Sequence, residues 1–424
     1  MLYSRYRIAS RLAFYWLLLR EFLTFGFLRK GQTAELERVL GERVGEPVIA
    51  LPQARIGFFL YLRAVLKPGD EVIMPAYTLI DMVNMVICAG GRPVFADVMN
   101  GHYHLCENDV RQKLTSRTRV VVMCHLYGIA APITGIQNLC REKGLLLFED
   151  CAQAFGVKID GKMVGTIGDA GVYSFGALKH INGLFGGGLV IRDPALRAKI
   201  RAQLSSMPLM GFKRLLGKAG FCLAYDILTH PWVYSVFPRS IMRALDQNGH
   251  VDKDAVRKET LPVGQLCQMT SLQAVLIMDG LALWERRVEQ VRELARRYSR
   301  SIADSPQHLA IPPAPDGVYN IYLQFPVVTC PNNRRLKEFL ADRLVDINID
   351  FFRDVSSLPC FEEFNSDCPN TELLLVSLAL LPAYPRQDES YHLRVCGALQ
   401  TVDAAIGLTA GTSEAGKLGP SSNI

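Results

Sequence analysis

The stretch that decides the fold runs from Leu145 to Gly188, and it reads LLLFEDCAQAFG over 145–156, GDAGVYSFGALK over 168–179 and GGG over 186–188. Its first apolar run ends on the carboxylate Asp150, and the second part places Ser174 and Lys179 five residues apart. Ligands of α/β sheets bind beyond the carboxyl ends of the strands. The stretch therefore predicts a binding site built around an acid and an amine.

Apolar runs alternate with segments of helical spacing along the first part of the chain. Runs that are apolar throughout are typical of parallel strands buried on both faces, because a half-exposed strand would alternate with polar residues. We therefore predict an α/β large domain with a mostly parallel sheet. The predicted strands are 48–50, 71–74, 93–97, 119–123 and one that opens at 145, and the predicted helices include 56–66, 81–89 and 133–143.

The last third of the chain mixes strands and helices in a different order, which predicts a smaller α+β domain. Its predicted helices are 268–301, 334–343, 371–381 and 389–408, and its predicted strands are 322–328 and 344–349. The chain is accordingly divided into four parts. These are an apolar and basic helical segment (1–31), a large domain (32–265) with an apolar insert (205–262), a small C-terminal domain (266–410) and a flexible tail (411–424).

The composition is that of a packed globular protein, with 49% hydrophobic and 21% charged residues among 424. The net charge of +6 is modest and no basic stripe with interleaved aromatics is present, so no nucleic-acid partner is expected. The eleven cysteines include no CxxC pair, which favours reduced thiols in a cytoplasmic protein. His102 and His104 lack a third ligand nearby, so no metal site is expected.

Two apolar segments lie outside this pattern. Residues 12–28 follow a basic start, but Arg20 and Glu21 interrupt them and no cleavage site follows. Neither a spanning helix nor a secretory signal is therefore expected, and the alternatives are a docked helix or a helix in a membrane interface. Residues 215–237 are rich in aromatics, which fits either a packed helical insert or a surface for a lipid or lipid-linked substrate.

Asp150 and Lys179 of the stretch 145–188 are the kinds of group that one cofactor chemistry requires. A lysine amine forms a Schiff base with an aldehyde cofactor, and pyridoxal phosphate is the common case. Such a cofactor needs a carboxylate beside its ring nitrogen, a donor near its phenolic oxygen and polar groups for its phosphate. Asp150, Gln153 and Ser174 supply these types of group, and Lys179 supplies the amine.

These residues resemble the DegT/DnrJ/EryC1/StrS sugar aminotransferases, a pyridoxal-phosphate-dependent family with the aspartate aminotransferase-like fold (fold type I). The resemblance rests on FEDCAQAFG (148–156), on the spacing from Gly168 to Lys179 and on the glycines at 186–188. It extends to PGDEVIMPAYT (68–78), HLYG (125–128), MTSLQA (269–274) and Leu381-Pro382, and so covers about residues 32–408.

The resemblance implies a role for each residue of the central motif. Lys179 would bind the cofactor covalently and then move protons at the substrate carbon. Asp150 would pair with the ring nitrogen, Gln153 would contact the phenolic oxygen, and Ser174 would contact the phosphate. The resemblance also implies a homodimer with active sites at its interface.

Further site residues follow from the same resemblance. Ala54 and Arg55 would belong to the phosphate loop, and Tyr77 would belong to the cofactor pocket. His125 and Arg353 are weaker candidates for substrate contact, for which the alternatives are a structural histidine and a surface arginine.

Three positions depart from the family pattern. Ala54-Arg55 stands where a Gly-Thr pair is common, and an arginine there could itself bind the phosphate. Leu79 stands where an aromatic ring often stacks on the cofactor. Leu266 stands where a neighbouring subunit usually contributes an asparagine.

The expected function is transfer of an amino group, from glutamate by the resemblance, to a keto-sugar that is expected to be nucleotide-linked. The setting would be polysaccharide, glycolipid or antibiotic sugar biosynthesis. Related sugar dehydratases of this fold carry His in place of the lysine, so Lys179 favours transamination. The alternatives are such a dehydratase and a non-catalytic scaffold or regulatory member at a membrane glycan assembly. A cytoplasmic location is expected, with peripheral membrane contact left open.

Overall fold

The computed structural model describes residues 2–8, 10–29, 31–236, 256–303, 309–329, 332–385 and 388–402. Within them the helices are α1 (Leu12–Leu23), α2 (Gln32–Val44), α3 (Ala54–Val65), α4 (Ile80–Cys88), α5 (Glu107–Gln112), α6 (Ile133–Lys143), α7 (Pro194–Ser205), α8 (Phe212–Leu228), α9 (Pro231–Val236), α10 (Ser271–Leu281), α11 (Trp284–Ala303), α12 (Asn333–Asp342), α13 (Pro369–Ser377) and α14 (Glu389–Gln400). The strands are β1 (Val48–Leu51), β2 (Glu71–Pro75), β3 (Tyr77–Thr78), β4 (Arg92–Ala96), β5 (Thr118–Cys124), β6 (Leu146–Cys151), β7 (Lys158–Ile159), β8 (Lys162–Met163), β9 (Ala170–Ser174), β10 (Gly187–Ile191), β11 (Leu309–Ala310), β12 (Val318–Tyr319), β13 (Phe325–Thr329), β14 (Arg353–Asp354) and β15 (Leu378–Leu381). The expected tail and residues 237–255 of the insert lie outside the described residues.

A seven-stranded sheet forms the centre of the large domain, in the order β1-β10-β9-β6-β5-β2-β4. The neighbours from β9 to β4 pair in parallel, whereas β10 runs antiparallel to both β1 and β9. The predicted α/β fold with a mostly parallel sheet is therefore confirmed. Gly187 lets β10 pack closely against β9 and the start of α3. A Cβ at this position would lie 2.8 Å from the Tyr173 carbonyl oxygen and 2.9 Å from the Ala54 nitrogen.

The strands of this sheet are apolar throughout because both faces are covered. In β5 the side chains of Val120 and Val122 join one buried cluster, whereas Val121 and Met123 join the cluster on the opposite face. This alternation is the period of two that a strand imposes. With both faces used for packing, the ends of the strands are where polar side chains can gather.

The small domain is built on the antiparallel sheet β11-β13-β15. The single helix predicted over 371–381 is wrong, because α13 ends at Ser377 and the next four residues form β15. All four residues of β15 are buried. A surface helix buries one stripe of its residues, so it would leave some of these leucines exposed.

The first residues of the chain also belong to this domain. The strand predicted over 344–349 is wrong, since isolated bridges link Val345 to Tyr3 and Asn348 to Leu380. Tyr3 lies in the buried cluster of the small domain. The carbonyl of Ser4 accepts the Tyr384 hydroxyl at 2.9 Å, and Arg5 pairs with Asp346 at 3.3 Å.

The long helix predicted over 268–301 is two helices, α10 and α11, which are separated by Ala282 and Leu283. Residues of α10 pack in the clusters of the large domain, whereas Val291 and Leu294 of α11 pack in the small-domain cluster. The break lets α10 stay inside one domain while α11 covers the other.

Helix α1 docks on the insert helix α8 and on α10. Its Phe14 and Leu18 share a buried cluster with Leu215 and Cys222 of α8 and with Leu276 of α10. This packing agrees with the docked alternative for one face of α1. None of the helices within the described ranges is long and apolar enough to span a bilayer.

Two contacts fasten the small domain beside the carboxyl edge of the central sheet. The carboxylate of Asp97, which follows β4, accepts the N–H groups of Asn370 and Thr371 at 2.9 and 2.8 Å, in the first turn of α13. Strand β14 pairs with β3 in the loop after β2, with Arg353 opposite Thr78. Both contacts hold the small domain next to the edge where the polar residues gather.

Candidate active site

Polar side chains gather where four adjacent strands end. Strands β9, β6, β5 and β2 are neighbours in the sheet, and Ser174, Asp150, His125 and Tyr77 stand at or directly after their ends. Lys179 follows β9 in a turn that is closed by a hydrogen bond from its N–H to the Gly176 carbonyl at 3.0 Å. Because parallel strands end at the same edge, the predicted acid and amine share one side of the sheet.

Lys179 and Asp150 lie close enough to influence each other's ionisation. Burial lowers the pKa of Lys179 to about 8, and the Asp150 carboxylate opposes that shift. Burial raises the pKa of Asp150, while the Ala152 N–H at 2.9 Å, Lys179 and His125 oppose the rise. A lysine with this pKa carries far more neutral amine near neutral pH than an ordinary lysine does, and nucleophilic and proton-transferring lysines need that neutral form.

A fully buried pair, His125 and Glu149, supports the loops around this centre. The Glu149 carboxylate lies 3.2 Å from His125 Nε2 and accepts three backbone N–H groups at 2.6–2.7 Å, those of Gly165, Ile167 and Gly168. His125 Nδ1 accepts the Ala131 N–H at 3.0 Å, so Nε2 carries the proton and donates to Glu149. Both ring nitrogens of His125 are thus used within the protein, and the described residues that line the two cavities of Lys179 do not include His125.

Lys179 lines two cavities. The narrow cavity also contains Gln153 and Ser174, with walls that include Phe155 and Trp284. The amide oxygen of Gln153 accepts the Tyr127 N–H at 2.7 Å, which leaves the NH2 group of Gln153 as the donor for a ligand. The structure therefore brings together three residues that the sequence predicted as a group.

The wider cavity measures about 460 Å³ and extends from Lys179 and His180 to the N-terminal segment. Its lining is strongly cationic, with Arg5, Arg7, Arg11, Arg286 and Arg287. Gln324 also lines it and is 2% exposed, yet neither atom of its amide makes a well-formed hydrogen bond, although the amide lies beside the Tyr6 hydroxyl. A cavity of this size, with cations and an unused amide, suits an anionic small molecule.

Ala54 and Arg55 form the first turn of α3. The Arg55 guanidinium pairs with the carboxylate of Asp81, and Lys258 Nζ lies 3.4 Å from the other oxygen of that carboxylate. The N-terminus of a helix favours anions. The predicted phosphate loop thus has a suitable position, but its arginine is engaged with an acid.

Tyr77 and Arg353 lie beside the cavities rather than in them. The Tyr77 hydroxyl is buried 2.7 Å from the Tyr127 hydroxyl, and burial raises the pKa of Tyr77. Arg353 is half-buried opposite Thr78 in the β3–β14 pair. The described residues that line the two cavities of Lys179 include neither of them.

Sequence reasoning missed several contributors to the site. Glu149 precedes Asp150 and His180 follows Lys179 in the sequence. The structure shows that Glu149 accepts hydrogen bonds from the surrounding loop and that His180 lines the cavities. Burial lowers the pKa of His180 to about 4, so this side chain is neutral at physiological pH. Arg5 and Arg7 reach the cavity through contacts with distant parts of the chain, and their only local signal was the basic start of the sequence.

The mostly parallel sheet, the small α+β domain and the acid–lysine pair at the carboxyl edge define a class, the aspartate aminotransferase-like (fold type I) α/β proteins. The chain belongs to the DegT/DnrJ/EryC1/StrS aminotransferase family, whose sequence model matches residues 16–225 and 238–400. The resemblance seen in the sequence is therefore confirmed.

Relatives of this chain act on nucleotide-linked sugars by name. A UDP-N-acetyl-3-dehydro-alpha-D-glucosamine 3-aminotransferase from Acidithiobacillus ferrooxidans is 40% identical over 144 residues, which are 34% of this chain and 39% of that protein. The alignment thus spans about two fifths of that relative's length. A dTDP-4-dehydro-2,3,6-trideoxy-D-glucose 4-aminotransferase from Saccharopolyspora spinosa is 27% identical over 348 residues, which are 81% of each chain.

A solved structure extends the likeness to nearly the whole chain. The aminotransferase TlmJ from Streptoalloteichus hindustanus is similar with a TM-score of 0.75 and 25% identity, covering 96% of this chain and 100% of that one. The similarity therefore includes both domains and the edge of the sheet where Lys179 and Asp150 lie.

Proposed function

We propose that this protein is a pyridoxal-phosphate-dependent aminotransferase that moves an amino group, from glutamate as the family resemblance implies, to a nucleotide-linked keto-sugar. The observation that carries the proposal is the lysine of lowered pKa near the half-buried carboxylate of Asp150 at the carboxyl edge of the sheet. Membership of an aminotransferase family supports the reaction type.

The residues present fit pyridoxal phosphate. Burial disfavours the charged form of Asp150, so a cationic ring nitrogen beside it would offset that penalty. Gln153 has an NH2 group for the phenolic oxygen, and Ser174 has a hydroxyl for the phosphate in the same cavity. When bound, the cofactor supplies an electron sink that stabilises negative charge at the substrate carbon.

The side chains around the cofactor site would transfer the proton, exclude water and hold the surrounding loops in place. Lys179 Nζ, with a pKa of about 8, can take a proton from the substrate carbon and return it, since its two protonation states are close in energy. Apolar walls that include Phe155 and Ile321 exclude water from the narrow cavity. Glu149 and His125 hold the surrounding loops through hydrogen bonds that involve no substrate.

The wider cavity supports the assignment of the acceptor. The arginines of its lining offer charge to the diphosphate of a nucleotide-linked sugar, because one guanidinium can donate two parallel hydrogen bonds to phosphate oxygens. Two of the five, Arg5 and Arg11, are also paired with Asp346 and Asp279. The names of the relatives include UDP- and dTDP-linked keto-sugars. The sugar ketone would then lie toward Lys179, at the inner end of the cavity.

The proposal includes two further properties, namely that the protein is a homodimer and that it is located in the cytoplasm. Two leucines beside the site, Leu79 and Leu178, are exposed and would suit coverage by a partner subunit. The six buried cysteines within the described residues are free thiols, in keeping with a reducing compartment.

The experiment is a transfer assay with isotope-labelled glutamate, pyridoxal phosphate and a panel of nucleotide-linked keto-sugars, read by mass spectrometry. We expect labelled nitrogen in the sugar and release of 2-oxoglutarate. Lys179→Ala should abolish both the transfer and the visible absorption band of lysine-bound cofactor, and Lys162→Ala, at an exposed lysine in β8, should change neither.

Two outcomes would replace this function with one of its alternatives. Loss of water from the sugar without 2-oxoglutarate would identify a dehydratase. Absence of turnover on the whole panel, in protein that retains bound cofactor, would favour a non-catalytic member of the family.

A further inference from the structure

Helices α1 and α8 pack side by side in opposite directions. The Tyr15 hydroxyl of α1 donates to Asp226 at 2.6 Å near the end of α8, whereas the ring of Phe22 meets that of Phe212 at the start of α8, with centroids 5.3 Å apart. Their inner sides share one buried cluster. Their outer sides therefore point away from the protein together, with the short helix α9 following α8.

This outer side is apolar where a globular surface is normally polar. We call it the outer face and define it by six exposed side chains, Trp16, Leu19, Leu23, Leu223, Ile227 and Trp232. The three in α1 and the two in α8 recur at helical spacing, so they form stripes rather than scattered positions. Exposed apolar side chains grouped in this way are typical of an interaction site.

The segments that carry the outer face are strongly basic. Residues 2–29 and 209–236 contain eight Lys and Arg but only two acids, Glu21 and Asp226, and their net charge of +6 equals that of the whole chain. Glu21 is paired with Arg20 at 2.8 Å and with Arg29, and Asp226 accepts hydrogen bonds from the Ser10 N–H and the Tyr15 hydroxyl. Arg5 and Arg11 are paired with Asp346 and Asp279, which lie outside these segments, so the net charge falls from +6 to +4 when those two acids are included. The surroundings of the outer face therefore attract anions.

Aromatic placement favours a lipid surface over a protein partner. Trp16 and Trp232 are 70% and 68% exposed, and they are two of the three tryptophans in the chain. Tryptophan prefers the boundary between bilayer and water, and amphipathic helices with basic flanks lie in that boundary. At 12 and 17 residues, α1 and α8 have the length to lie along it.

A second copy of the chain fits this surface less well. A two-fold interface brings a patch against itself, so the cations around the outer face would meet the same cations. Like charges brought together oppose association. An anionic bilayer presents the opposite charge instead.

We propose that the outer face of α1, α8 and α9 binds the protein to anionic membranes, with the helices lying in the plane of the interface. Arg11 immediately precedes α1 and lines the wide cavity of Lys179. The bound protein would therefore hold the Arg11 side of that cavity next to the helix that lies in the membrane interface. This inference does not depend on the proposed reaction.

The test is flotation of the full-length, cofactor-loaded protein with vesicles of phosphatidylglycerol and phosphatidylcholine, compared with phosphatidylcholine alone. We expect the protein to float with the anionic vesicles, to bind more weakly at high salt, and to show tryptophan emission at shorter wavelength when bound. The double variant Trp16→Ser/Trp232→Ser should lower the partition coefficient roughly tenfold or more, since two large apolar side chains leave the interface.

The matched control is Leu373→Ser/Leu393→Ser, which changes two equally exposed apolar residues of α13 and α14 and should leave vesicle binding unchanged. Protein that stays at the bottom of the gradient with both kinds of vesicle would overturn the proposal. So would tryptophan variants that bind vesicles as the wild type does. Tryptophan variants that become monomeric while vesicle binding persists would show that the outer face joins two copies of the chain instead.

Discussion

Two regions of this molecule reverse the usual distribution of polar and apolar groups. At the carboxyl edge of the sheet, His125 and Glu149 are fully buried polar groups next to the half-buried Lys179, and on the outer face Trp16 and Trp232 are apolar groups exposed to solvent. The buried region compensates with hydrogen bonds, so that Glu149 alone accepts three backbone N–H groups and faces His125. The exposed region has no such compensation within the described residues, and in the proposed membrane-bound state the lipid would supply it.

The comparison shows that buried polar groups depend on the rest of the fold, whereas exposed apolar groups depend on what contacts them from outside. Buried polar groups are strongly coupled to the fold, because removing one member leaves its partners without hydrogen bonds in a dry interior. Exposed apolar groups are coupled only to what they meet outside. Substitutions in the first region should therefore disturb reaction and stability, and substitutions in the second should disturb neither.

The largest expected effect lies at the centre of the buried region. Lys179→Arg should reduce the transfer rate about 10⁴-fold or more, because a guanidinium stays charged and can act neither as nucleophile nor as proton carrier at neutral pH. Single-turnover measurements and the visible spectrum of bound cofactor would report it. Retention of a tenth of the wild-type rate would contradict a direct role for the amine.

The next effect is on stability. Glu149→Ala should lower the free energy of unfolding by about 4 kcal/mol, since three buried N–H groups lose their acceptor. Urea titration followed by circular dichroism measures it. Glu142→Ala, at an exposed acid of α6, is the control and should leave the midpoint unchanged. Equal effects of the two substitutions would mean that the buried network does not hold these loops.

A pH dependence should appear in the cofactor-free protein. The folded-state pKa of Lys179 is about 8, below its ordinary value of 10.5, so the folded state binds fewer protons than the unfolded state between these values. Stability should therefore rise as the pH increases from about 8 toward 10.5. Lys179→Met should remove this part of the dependence in urea titrations at stepped pH, and an unchanged slope would show that the lysine is not shifted.

Removing the acid should shift the same titration. Asp150 opposes the fall in the pKa of Lys179, so Asp150→Asn should lower that pKa further. The rate at which cofactor-free protein reacts with pyridoxal phosphate should then level off at lower pH than in the wild type. A midpoint that moves upward would contradict the electrostatic coupling of the pair.

The smallest expected effect is on the outer face. Trp16→Ser should change the free energy of unfolding by less than about 0.5 kcal/mol, because the Trp16 side chain is mostly exposed to solvent. Leu18→Ala, two residues away on the inner side of the same helix, should cost about 2–3 kcal/mol. Thermal or urea unfolding distinguishes the two. A large loss at Trp16 would place it in the fold and weaken the contrast between the regions.

The sequence predicted those parts of the site that local spacing encodes. Asp150, Gln153, Ser174 and Lys179 sit in two short motifs, and the strands that carry them are adjacent in the sheet. The runs that are apolar throughout also predicted the mostly parallel sheet. These features are visible locally because burial on both faces fixes the residue types of each strand.

What the sequence could not predict depends on distant contacts. The run Leu378–Leu381 has the composition of a helix or a strand, and its pairing with β13 decides between them. The side chain of Arg55 suggested phosphate binding, but its partner Asp81 comes from the next helix. The arginines of residues 5–11 join the cavity only when the N-terminal segment meets the small domain.

The bridge between Tyr3 and Val345 has a consequence for the order of folding during synthesis. The chain leaves the ribosome from its N-terminus, but the partners of Tyr3, Ser4 and Arg5 at residues 345, 384 and 346 emerge much later. Contacts between such distant residues form slowly, because a long loop must close first. Helix α1 must likewise wait for α8 and α10 before its inner side is covered. Residues 3–5 are thus packed long after they are made, and helix α1 remains without its partners until residues 212–281 have been made.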